Sequence, residues 1–324
     1  MRILITGATG FLGNNLTRVL LRQGHHVTAA VRTSSNLKTL DGLDVELVET
    51  DLSNSSDIAI AMEGVDVVVH AAALIHLGWT RIDASRMVNV ESTTRIAESA
   101  RRRGIRMIHV STVDALGLTS EHEPGNEDRL DPPNPACAYV VSKREAETAV
   151  ILEVSQGLDA VIVNPGFLVG PYDWKPSSGE MMLTLARRFI PYAPAGGCSV
   201  ADVRDVADGI VSAMEHGRSG ERYILGGENL SYLELWQMMS TIMKRRPTKQ
   251  QLPNWMAAMA GKTGDLIGRL TGTEPLVNSA ATQMGQIFHY YESSKAKHEL
   301  GYQIGSVEDA VNDAWDWFKQ HEYV

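Results

Sequence analysis

The chain has 324 residues, of which 44% are hydrophobic and 21% are charged, so it can bury the full core of an ordinary globular protein. Its net charge of −9 excludes the basic surface of a nucleic-acid-binding protein. Two cysteines, no apolar run long enough to span a bilayer and a strand directly after Met1 indicate a cytoplasmic protein without a signal peptide or a membrane span.

The first predicted element is a strand that leads into a glycine-rich turn. Residues 3–5 are an apolar run typical of a buried strand, and the apolar residues from Phe11 to Gln23 recur at helical spacing. Three glycines separate the two elements at the spacing G-x-x-G-x-x-G: Gly7, Gly10 and Gly13. Bare backbone and the unpaired N–H groups of a helix N-terminus can hold a pyrophosphate. A turn whose glycines serve only backbone geometry is the alternative, and the position directly after the first strand favours nucleotide binding.

Strands and helices then alternate along the chain. Further strands are predicted over 26–31, 44–48, 65–69, 107–110 and 160–163, with helices over 55–62, 83–103 and 136–154. This alternation is typical of an α/β protein with a Rossmann-type, doubly wound parallel sheet. In such a sheet the ligands bind at the carboxyl ends of the strands.

The alternation stops after Asn164. Residues 171–198 are rich in Gly, Pro and Ser, and residues 228–290 are mostly helical and rich in methionine. We therefore expect a dinucleotide-binding domain over 1–168, to which residues 199–227 return. A smaller, mostly helical C-terminal substrate-binding cap is expected over 169–198 and 228–324.

One pair of side chains has the chemistry of a proton-transfer site. Tyr139 and Lys143 lie at i and i+4 on one face of a helix, where an ammonium can lower a tyrosine pKa from its usual value of about 10. The hydroxyls of Ser111 and Thr112 follow the fifth strand, where a bound carbonyl would lie. An incidental surface pair is the alternative for Tyr139 and Lys143, and their position between the fifth and sixth strands favours catalysis.

The residues after the second strand indicate which cofactor is bound. An NAD-dependent enzyme carries an acidic residue there, which binds the ribose 2′-OH. This chain has Arg32 followed by the hydroxyls of residues 33–35, with Lys38 nearby. A guanidinium with adjacent hydroxyls suits a 2′-phosphate, so NADP (as NADPH) is favoured over NAD.

Several short motifs together resemble the extended short-chain dehydrogenase/reductases of the NAD-dependent epimerase/dehydratase superfamily. Besides the glycine turn and the Tyr139–Lys143 pair, they are Asp51-Leu52, His70-Ala71-Ala72-Ala73, Val110-Ser111-Thr112 and Asn164-Pro165-Gly166. The stretches at 169–171, 220–227 and 297–302 are similar to the dihydroflavonol-4-reductase-like branch. The resemblance implies hydride transfer between the nicotinamide cofactor and a carbonyl or alcohol.

The resemblance also implies roles for individual residues. Tyr139 exchanges a proton with the substrate oxygen, Thr112 hydrogen-bonds that oxygen, and Lys143 holds the nicotinamide ribose and lowers the tyrosine pKa. The implied cofactor-binding residues are Gly7, Thr9, Gly10, Phe11, Leu12, Gly13, Arg32, Asp51, Leu52, Ala71, Ala72, Ala73, Val110, Tyr139, Lys143, Pro165, Gly166, Phe167 and Leu168. No metal site is expected. A homodimer through the helices over 83–103 and 136–154 is implied as well.

Two departures from the family pattern narrow the substrate. Val113 follows Thr112 where sugar-nucleotide dehydratases carry an Asp-Glu pair, so that second acid–base pair is missing. Cys198 stands where many sugar-nucleotide enzymes carry an arginine for the diphosphate. Both departures disfavour a nucleotide-sugar substrate.

The aromatic residues Phe167, Trp174 and Trp236, together with the methionines, suggest an apolar or aromatic substrate instead. The sequence thus predicts an NADPH-dependent reductase of a ketone or an aldehyde. A sugar or nucleotide-sugar epimerase that retains its cofactor is one alternative, and a non-catalytic NADP-sensing regulator is the other.

Overall fold

The computed structural model describes residues 1–117 and 119–324 of the chain. Its strands are β1 (Arg2–Thr6), β2 (His26–Val31), β3 (Glu46–Glu49), β4 (Val67–His70), β5 (Arg106–Val110), β6 (Ala160–Pro165), β7 (Phe167–Val169), β8 (Tyr192–Ala193), β9 (Gly197–Asp202), β10 (Arg222–Leu225), β11 (Glu228–Ser231), β12 (Gln250–Gln251) and β13 (Phe288–His289). Its α-helices are α1 (Phe11–Arg22), α2 (Ser55–Ala61), α3 (Ile82–Arg86), α4 (Ser92–Arg103), α5 (Ala138–Ser155), α6 (Gly179–Arg187), α7 (Val203–His216), α8 (Tyr232–Ile242), α9 (Asn254–Thr271), α10 (Ser279–Met284), α11 (Ser294–Leu300) and α12 (Val307–Gln320).

Seven strands form one parallel sheet in the order β10-β6-β5-β4-β1-β2-β3. The predicted Rossmann-type, doubly wound sheet is therefore confirmed. Strands β3 and β4 each begin two residues later than predicted, since the apolar pattern does not mark the residue at which pairing with a neighbour starts. Because all seven strands run in the same direction, their carboxyl ends meet at a single edge.

Helices cover both faces of this sheet. On one face, α1 and α7 pack against the side chains of Ile3 and Ile5. On the other face, α2, α4 and α5 pack against Leu4 and Val68. Successive side chains of a strand point to opposite faces, so the short apolar run of β1 contributes to both cores.

The predicted helix over 83–103 is divided into segments. Between α3 and α4 the residues Met87–Glu91 form a π-helical turn, whose wider ring changes the direction of the side chains within it. Asn89 of this turn is buried, accepts from the amide N–H of Leu74 at 2.7 Å and donates to the Ser142 hydroxyl of α5 at 2.9 Å. The turn thus ties the loop after β4 to the helix that carries the Tyr–Lys pair.

A second, smaller sheet lies in the C-terminal half, in the order β11-β9-β13 with β7 also paired to β9. We expected residues 199–227 to return to the dinucleotide-binding domain. Helix α7 packs on the first sheet and β10 joins it, whereas residues 199–202 belong to β9 of the second sheet. Strand β9 is buried along its whole length, and a fully buried strand has no sequence pattern that shows which sheet it joins. The rest of the C-terminal part is mostly helical, as predicted. None of the described helices is long and apolar enough to cross a membrane.

Candidate active site

The residues predicted to form the site meet at the carboxyl edge of the parallel sheet. They are the glycine turn after β1, Arg32 after β2, Asp51 and Leu52 beyond β3, Ala71, Ala72 and Ala73 after β4, Val110 at the end of β5 with Ser111 and Thr112 behind it, and Pro165 at the end of β6 followed by Gly166, Phe167 and Leu168. Helix α5 brings Tyr139 and Lys143 to the same edge, where the Lys143 ammonium contacts Val110. Parallel topology therefore gathers residues that are widely spaced in the sequence.

The glycine turn packs so closely against neighbouring backbone that a side chain would not fit at two of its glycines. Gly7 has a φ of 79°, and a Cβ on it would lie 2.7 Å from the amide nitrogen of Ala72. A Cβ on Gly13 would lie 2.1 Å from the carbonyl oxygen of Gly7. Gly10 is the N-cap of α1 and supplies no side-chain cap, so the first N–H groups of the helix remain available to an anion. These features fit the pyrophosphate of a dinucleotide. The remaining residues of the turn, which are half-buried, are Thr9, Phe11 and Leu12.

The side chain of Arg32, the first residue after β2, is exposed to solvent, and its backbone is fixed by a short turn. The amide N–H of Arg32 donates to the Ser35 hydroxyl at 2.9 Å, and the Ser35 amide N–H donates to the Arg32 carbonyl at 2.8 Å. The Arg32 side chain is exposed and makes no hydrogen bond or ion pair with the described residues. Of the neighbouring hydroxyls, that of Thr33 donates to Glu49 at 2.6 Å and is already engaged. Arg32 thus presents an exposed guanidinium directly after β2.

Tyr139, Lys143 and Thr112 lie together at the start of α5. The backbone N–H of Tyr139 donates to the carbonyl of His76 at 3.2 Å, which fixes the first turn of the helix. One turn later, the buried Lys143 ammonium donates to the Val110 carbonyl at 2.6 Å. The Thr112 side chain lies close enough to the Tyr139 phenol to lower its pKa, against the larger effect of burial. The structure therefore brings together the three residues for which a catalytic role was predicted.

The charge state of this group differs from the expectation in one respect. Burial raises the pKa of Tyr139 above its ordinary value, and the negative charge of Asp114 raises it further. Burial lowers the pKa of Lys143 to about 8, against the opposing effect of Glu147. The expected lowering of the tyrosine pKa by Lys143 is not present, because the ammonium is directed at the Val110 carbonyl. Tyr139 is consequently protonated at neutral pH, as a proton donor must be.

An ion pair that the sequence analysis missed lies beside Thr112. The Asp114 carboxylate is 2.9 Å from Nδ1 of His289, and it accepts a hydrogen bond from the Thr112 hydroxyl at 3.1 Å. Burial alone would raise the pKa of Asp114, but the charge and hydrogen bond of His289 and the bond from Thr112 lower it. Burial alone would lower the pKa of His289, but Asp114 raises it. A carboxylate two residues after Thr112 was visible in the sequence, whereas its histidine partner on β13 was not.

We expect this pair to stabilise the protein within a limited pH range. The pKa of His289 is raised on folding, so its contribution is complete below about pH 6.5 and is lost as the pH rises through the raised value. The pKa of Asp114 is lowered, so its contribution is complete above about pH 3.9 and is lost as the pH falls through the lowered value. The substitution Asp114→Asn should therefore reduce the free energy of unfolding most between about pH 4 and pH 6.5.

Urea unfolding of both proteins at several pH values measures this difference. Asp128→Asn, at an exposed aspartate of the same surface loop, is the matched control and should show no such maximum. A loss of stability in Asp114→Asn that does not vary with pH would show that the carboxylate and the imidazole are not coupled.

A second buried network supports the catalytic helix from behind. Glu147 lies one turn after Lys143 and accepts from the Asn164 side chain at 2.7 Å and from the Arg222 guanidinium at 2.8 Å. Asn164 also donates to the carbonyl of Thr112 at 2.9 Å. The Glu147 carboxylate, both oxygens of which are paired, therefore joins α5 to β6 and β10 and, through Asn164, to the Thr112 backbone. Its loss would leave the Arg222 guanidinium without its charged partner.

The surroundings of Asp114 contain a thiol and a phenol. Burial raises the pKa of the Cys198 thiol, and Asp114 raises it further, whereas the nearby Tyr232 hydroxyl lowers it. Cys198 thus lies within reach of the site, at the position where an arginine for a diphosphate was sought in the sequence. The aromatic residues that suggested an apolar substrate, Phe167, Trp174 and Trp236, are half-buried and pack against the C-terminal core that contains Phe318.

A loop over residues 74–80 connects Tyr139 to the C-terminal helices. Gly78 accepts from the backbone N–H of Ala138 at 2.9 Å. From the other side, Glu274, in the segment between α9 and α10, accepts from the Trp79 amide at 2.9 Å and from His76 Nε2 at 2.9 Å. The segment that follows α9 therefore reaches the catalytic helix through a single loop.

Three features are typical of the nicotinamide-dependent short-chain dehydrogenase/reductases. They are the parallel sheet, the glycine turn after its first strand and the Tyr139–Lys143 pair at its carboxyl edge. The sequence model of the NAD dependent epimerase/dehydratase family matches residues 3–226, and the chain belongs to this family. It is accordingly an NAD(P)-dependent enzyme.

Three relatives illustrate the range of the family. The chain is 36% identical to a protein of Synechocystis sp. named "Putative dihydroflavonol 4-reductase", over 99% of this chain and 95% of that protein. It is 34% identical to "Sterol demethylase protein B" of Methylococcus capsulatus, over 99% of each. A crystal structure of a nucleoside-diphosphate-sugar epimerase from Pseudomonas aeruginosa is 25% identical, with a TM-score of 0.82 over 100% of this chain and 99% of that one.

Proposed function

We propose that the protein is an NADPH-dependent reductase of a ketone or an aldehyde with an apolar or aromatic body. The observation that carries the proposal is the convergence of Thr112, Tyr139 and Lys143 at the sheet edge that also holds the glycine turn. A reductase requires a proton donor at this position, and a neutral phenol is one.

In this proposal the bound nicotinamide supplies a hydride to the substrate carbon. Tyr139 donates its proton to the carbonyl oxygen, on which negative charge would otherwise develop. Thr112 orients that oxygen by a hydrogen bond, for which its hydroxyl must turn away from Asp114. Lys143 supplies a positive charge under the site and binds the cofactor ribose. The product is an alcohol, and Tyr139 regains its proton from solvent.

The surroundings of the site support an apolar substrate. Binding of a diphosphate requires a cation. Where many sugar-nucleotide enzymes carry an arginine, this chain has the buried, neutral Cys198 near Tyr232. Two of the relatives are named for a dihydroflavonol and for a sterol, which are both polycyclic compounds with a large carbon framework. We therefore place the substrate among ring ketones of this kind.

The preference for NADPH is assigned to Arg32. We expect wild-type protein to bind NADPH more tightly than NADH, and Arg32→Ala to lose a difference of about 1.5–3 kcal/mol, since a guanidinium–phosphate pair is charge-assisted. Titration of both cofactors against both proteins, followed by tryptophan fluorescence, measures it. Arg102→Ala, at an exposed arginine of α4, should change neither affinity. Equal affinities of the wild type for the two cofactors would refute the assignment.

An epimerase that retains its cofactor is the second candidate, and the similarity to the Pseudomonas aeruginosa epimerase favours it. The two functions differ in the state of the purified protein. An epimerase releases oxidised cofactor on denaturation and consumes none during turnover, whereas a reductase consumes one NADPH for each alcohol formed. Mass spectrometry of the released cofactor distinguishes them.

We also propose that the two predicted domains have separate roles. The dinucleotide-binding domain binds the cofactor at the parallel sheet, and the substrate binds between that sheet and the C-terminal cap. A homodimer through α4 and α5 belongs to the same proposal, since Met87 and Leu152 expose apolar side chains beside and on these helices. Light scattering of the purified protein tests the dimer directly.

A further inference from the structure

Helix α9 packs with its small residues inward and its large apolar residues outward. Ala257, Gly261 and Gly264 are buried, and a Cβ on Gly264 would lie 1.8 Å from the carbonyl oxygen of Val277. The outward residues recur at helical spacing and form what we call the α9 stripe: Trp255, Met259, Leu266 and Leu270. Leu270 is 79% exposed and Trp255 is 64% exposed. An ordinary surface helix shows the opposite arrangement, so the stripe requires a partner.

Positive charge accompanies the α9 stripe. Residues 244–271 contain six basic residues and a single acidic one, Asp265, in a chain whose net charge is −9. Four of the basic residues precede the helix and are exposed: Lys244, Arg245, Arg246 and Lys249. The other two, Lys262 and Arg269, flank one side of the stripe by helical spacing. A local excess of cations beside an apolar face is complementary to an anionic surface with an apolar interior.

Further exposed apolar residues lie on the segment that joins α9 to the site. Beyond α9, Leu276 is 92% exposed and Val277 is exposed as well. The adjoining loop over residues 74–80, which binds Glu274, exposes Leu77 and Trp79 and carries the carbonyl that accepts from the Tyr139 amide. The segment after α9 is thus linked through this loop to the first turn of α5.

We propose that the α9 stripe and the basic segment 244–249 bind the surface of an anionic phospholipid bilayer, with the mouth of the active site facing the lipid. The stripe enters the boundary between head groups and acyl chains, and the arginines and lysines pair with lipid phosphates. An anionic membrane is complementary to both features, since its head groups pair with the basic residues and its interior takes up the apolar ones. An apolar ketone then reaches Tyr139 from the membrane without crossing water. This association goes beyond the proposed reductase activity.

The test is co-sedimentation with two kinds of vesicle, equimolar phosphatidylcholine and phosphatidylglycerol in one and phosphatidylcholine alone in the other. We expect the wild type to bind the anionic vesicles at least about tenfold more tightly than the neutral ones, and less tightly at high salt. The triple variant Trp255→Ser, Leu266→Ser, Leu270→Ser should lose at least about tenfold in binding to the anionic vesicles. The variant Lys244→Gln, Arg245→Gln, Arg246→Gln should bind both kinds of vesicle equally weakly.

Ile60→Ser is the matched control, because Ile60 is as exposed as Met259 but lies on α2. It should bind vesicles like the wild type. Leu270→Ser alone provides a second variant if the triple substitution impairs folding, and it should still bind more weakly. Wild-type protein that remains in the supernatant with anionic vesicles, or a stripe variant that binds like the wild type, would overturn the proposal. A wild-type dimer that the stripe variant converts to monomers would also overturn it, since a second copy would then cover the stripe. Binding is measured without turnover, so its failure leaves the proposed reductase activity untouched.

Discussion

Turnover of Tyr139→Phe is expected to fall by at least about 10²–10⁴-fold while NADPH affinity changes little. Phenylalanine keeps the ring and its packing against Cys137 and Val140, but it removes the phenolic proton. Thr112 cannot replace it, because an aliphatic hydroxyl is too weak an acid to protonate the substrate oxygen readily. Steady-state turnover with any accepted ketone, together with an NADPH titration, measures both quantities.

The control for this experiment is Tyr192→Phe, on the short strand β8, which should behave like the wild type. If Tyr139→Phe stays within a few-fold of the wild type, the proton comes from another group and the mechanism is wrong. If its turnover falls only together with its NADPH affinity, Tyr139 serves cofactor binding and not proton transfer.

Lys143→Met is expected to lower both turnover and cofactor affinity, because the ammonium is assigned to the ribose and to the charge of the site. It should also change how stability depends on pH. Burial holds the pKa of Lys143 at about 8, below its ordinary value of about 10.4, so the folded protein carries the cost of a buried charge at neutral pH. As the pH rises from about 8 to about 10.4, that cost disappears, and wild-type protein should gain stability relative to Lys143→Met.

Urea unfolding at neutral and alkaline pH measures this gain. Lys297→Met, at an exposed lysine of α11, should show no change in relative stability over the same range. A stability difference between the wild type and Lys143→Met that is the same at both pH values would show that Lys143 is not desolvated. An unchanged NADPH affinity in Lys143→Met would separate the lysine from the cofactor.

The parts of the site that sequence reasoning predicted share one property. The glycine turn, Thr112 and the Tyr139–Lys143 pair each lie within one element or directly after a strand. Their meeting point then follows from a single rule, that ligands bind at the carboxyl edge of a parallel sheet. The alternation of strands and helices was sufficient to predict that sheet, since each βαβ unit is local in the sequence.

The parts that it missed depend on contacts between distant segments. Glu147 and Arg222 are 75 residues apart, and a carboxylate on a helix gives no sign of the strand that will pair with it. His289 lies on a two-residue strand that neither periodicity nor turn residues mark. Strand β9 was not predicted for a similar reason, because burial on both faces removes the alternating pattern that marks a strand.

The most direct test of the account is to follow deuterium from the nicotinamide to a ketone. Wild-type protein is incubated with NADPH deuterated at the nicotinamide C4 position and with a panel that contains a dihydroflavonol and a sterol ketone, and the products are analysed by mass spectrometry. For an NADPH-dependent reductase we expect an alcohol with one deuterium on the former carbonyl carbon for each NADPH consumed. With Tyr139→Phe we expect almost no alcohol. An epimerised product without deuterium and without loss of NADPH would contradict it.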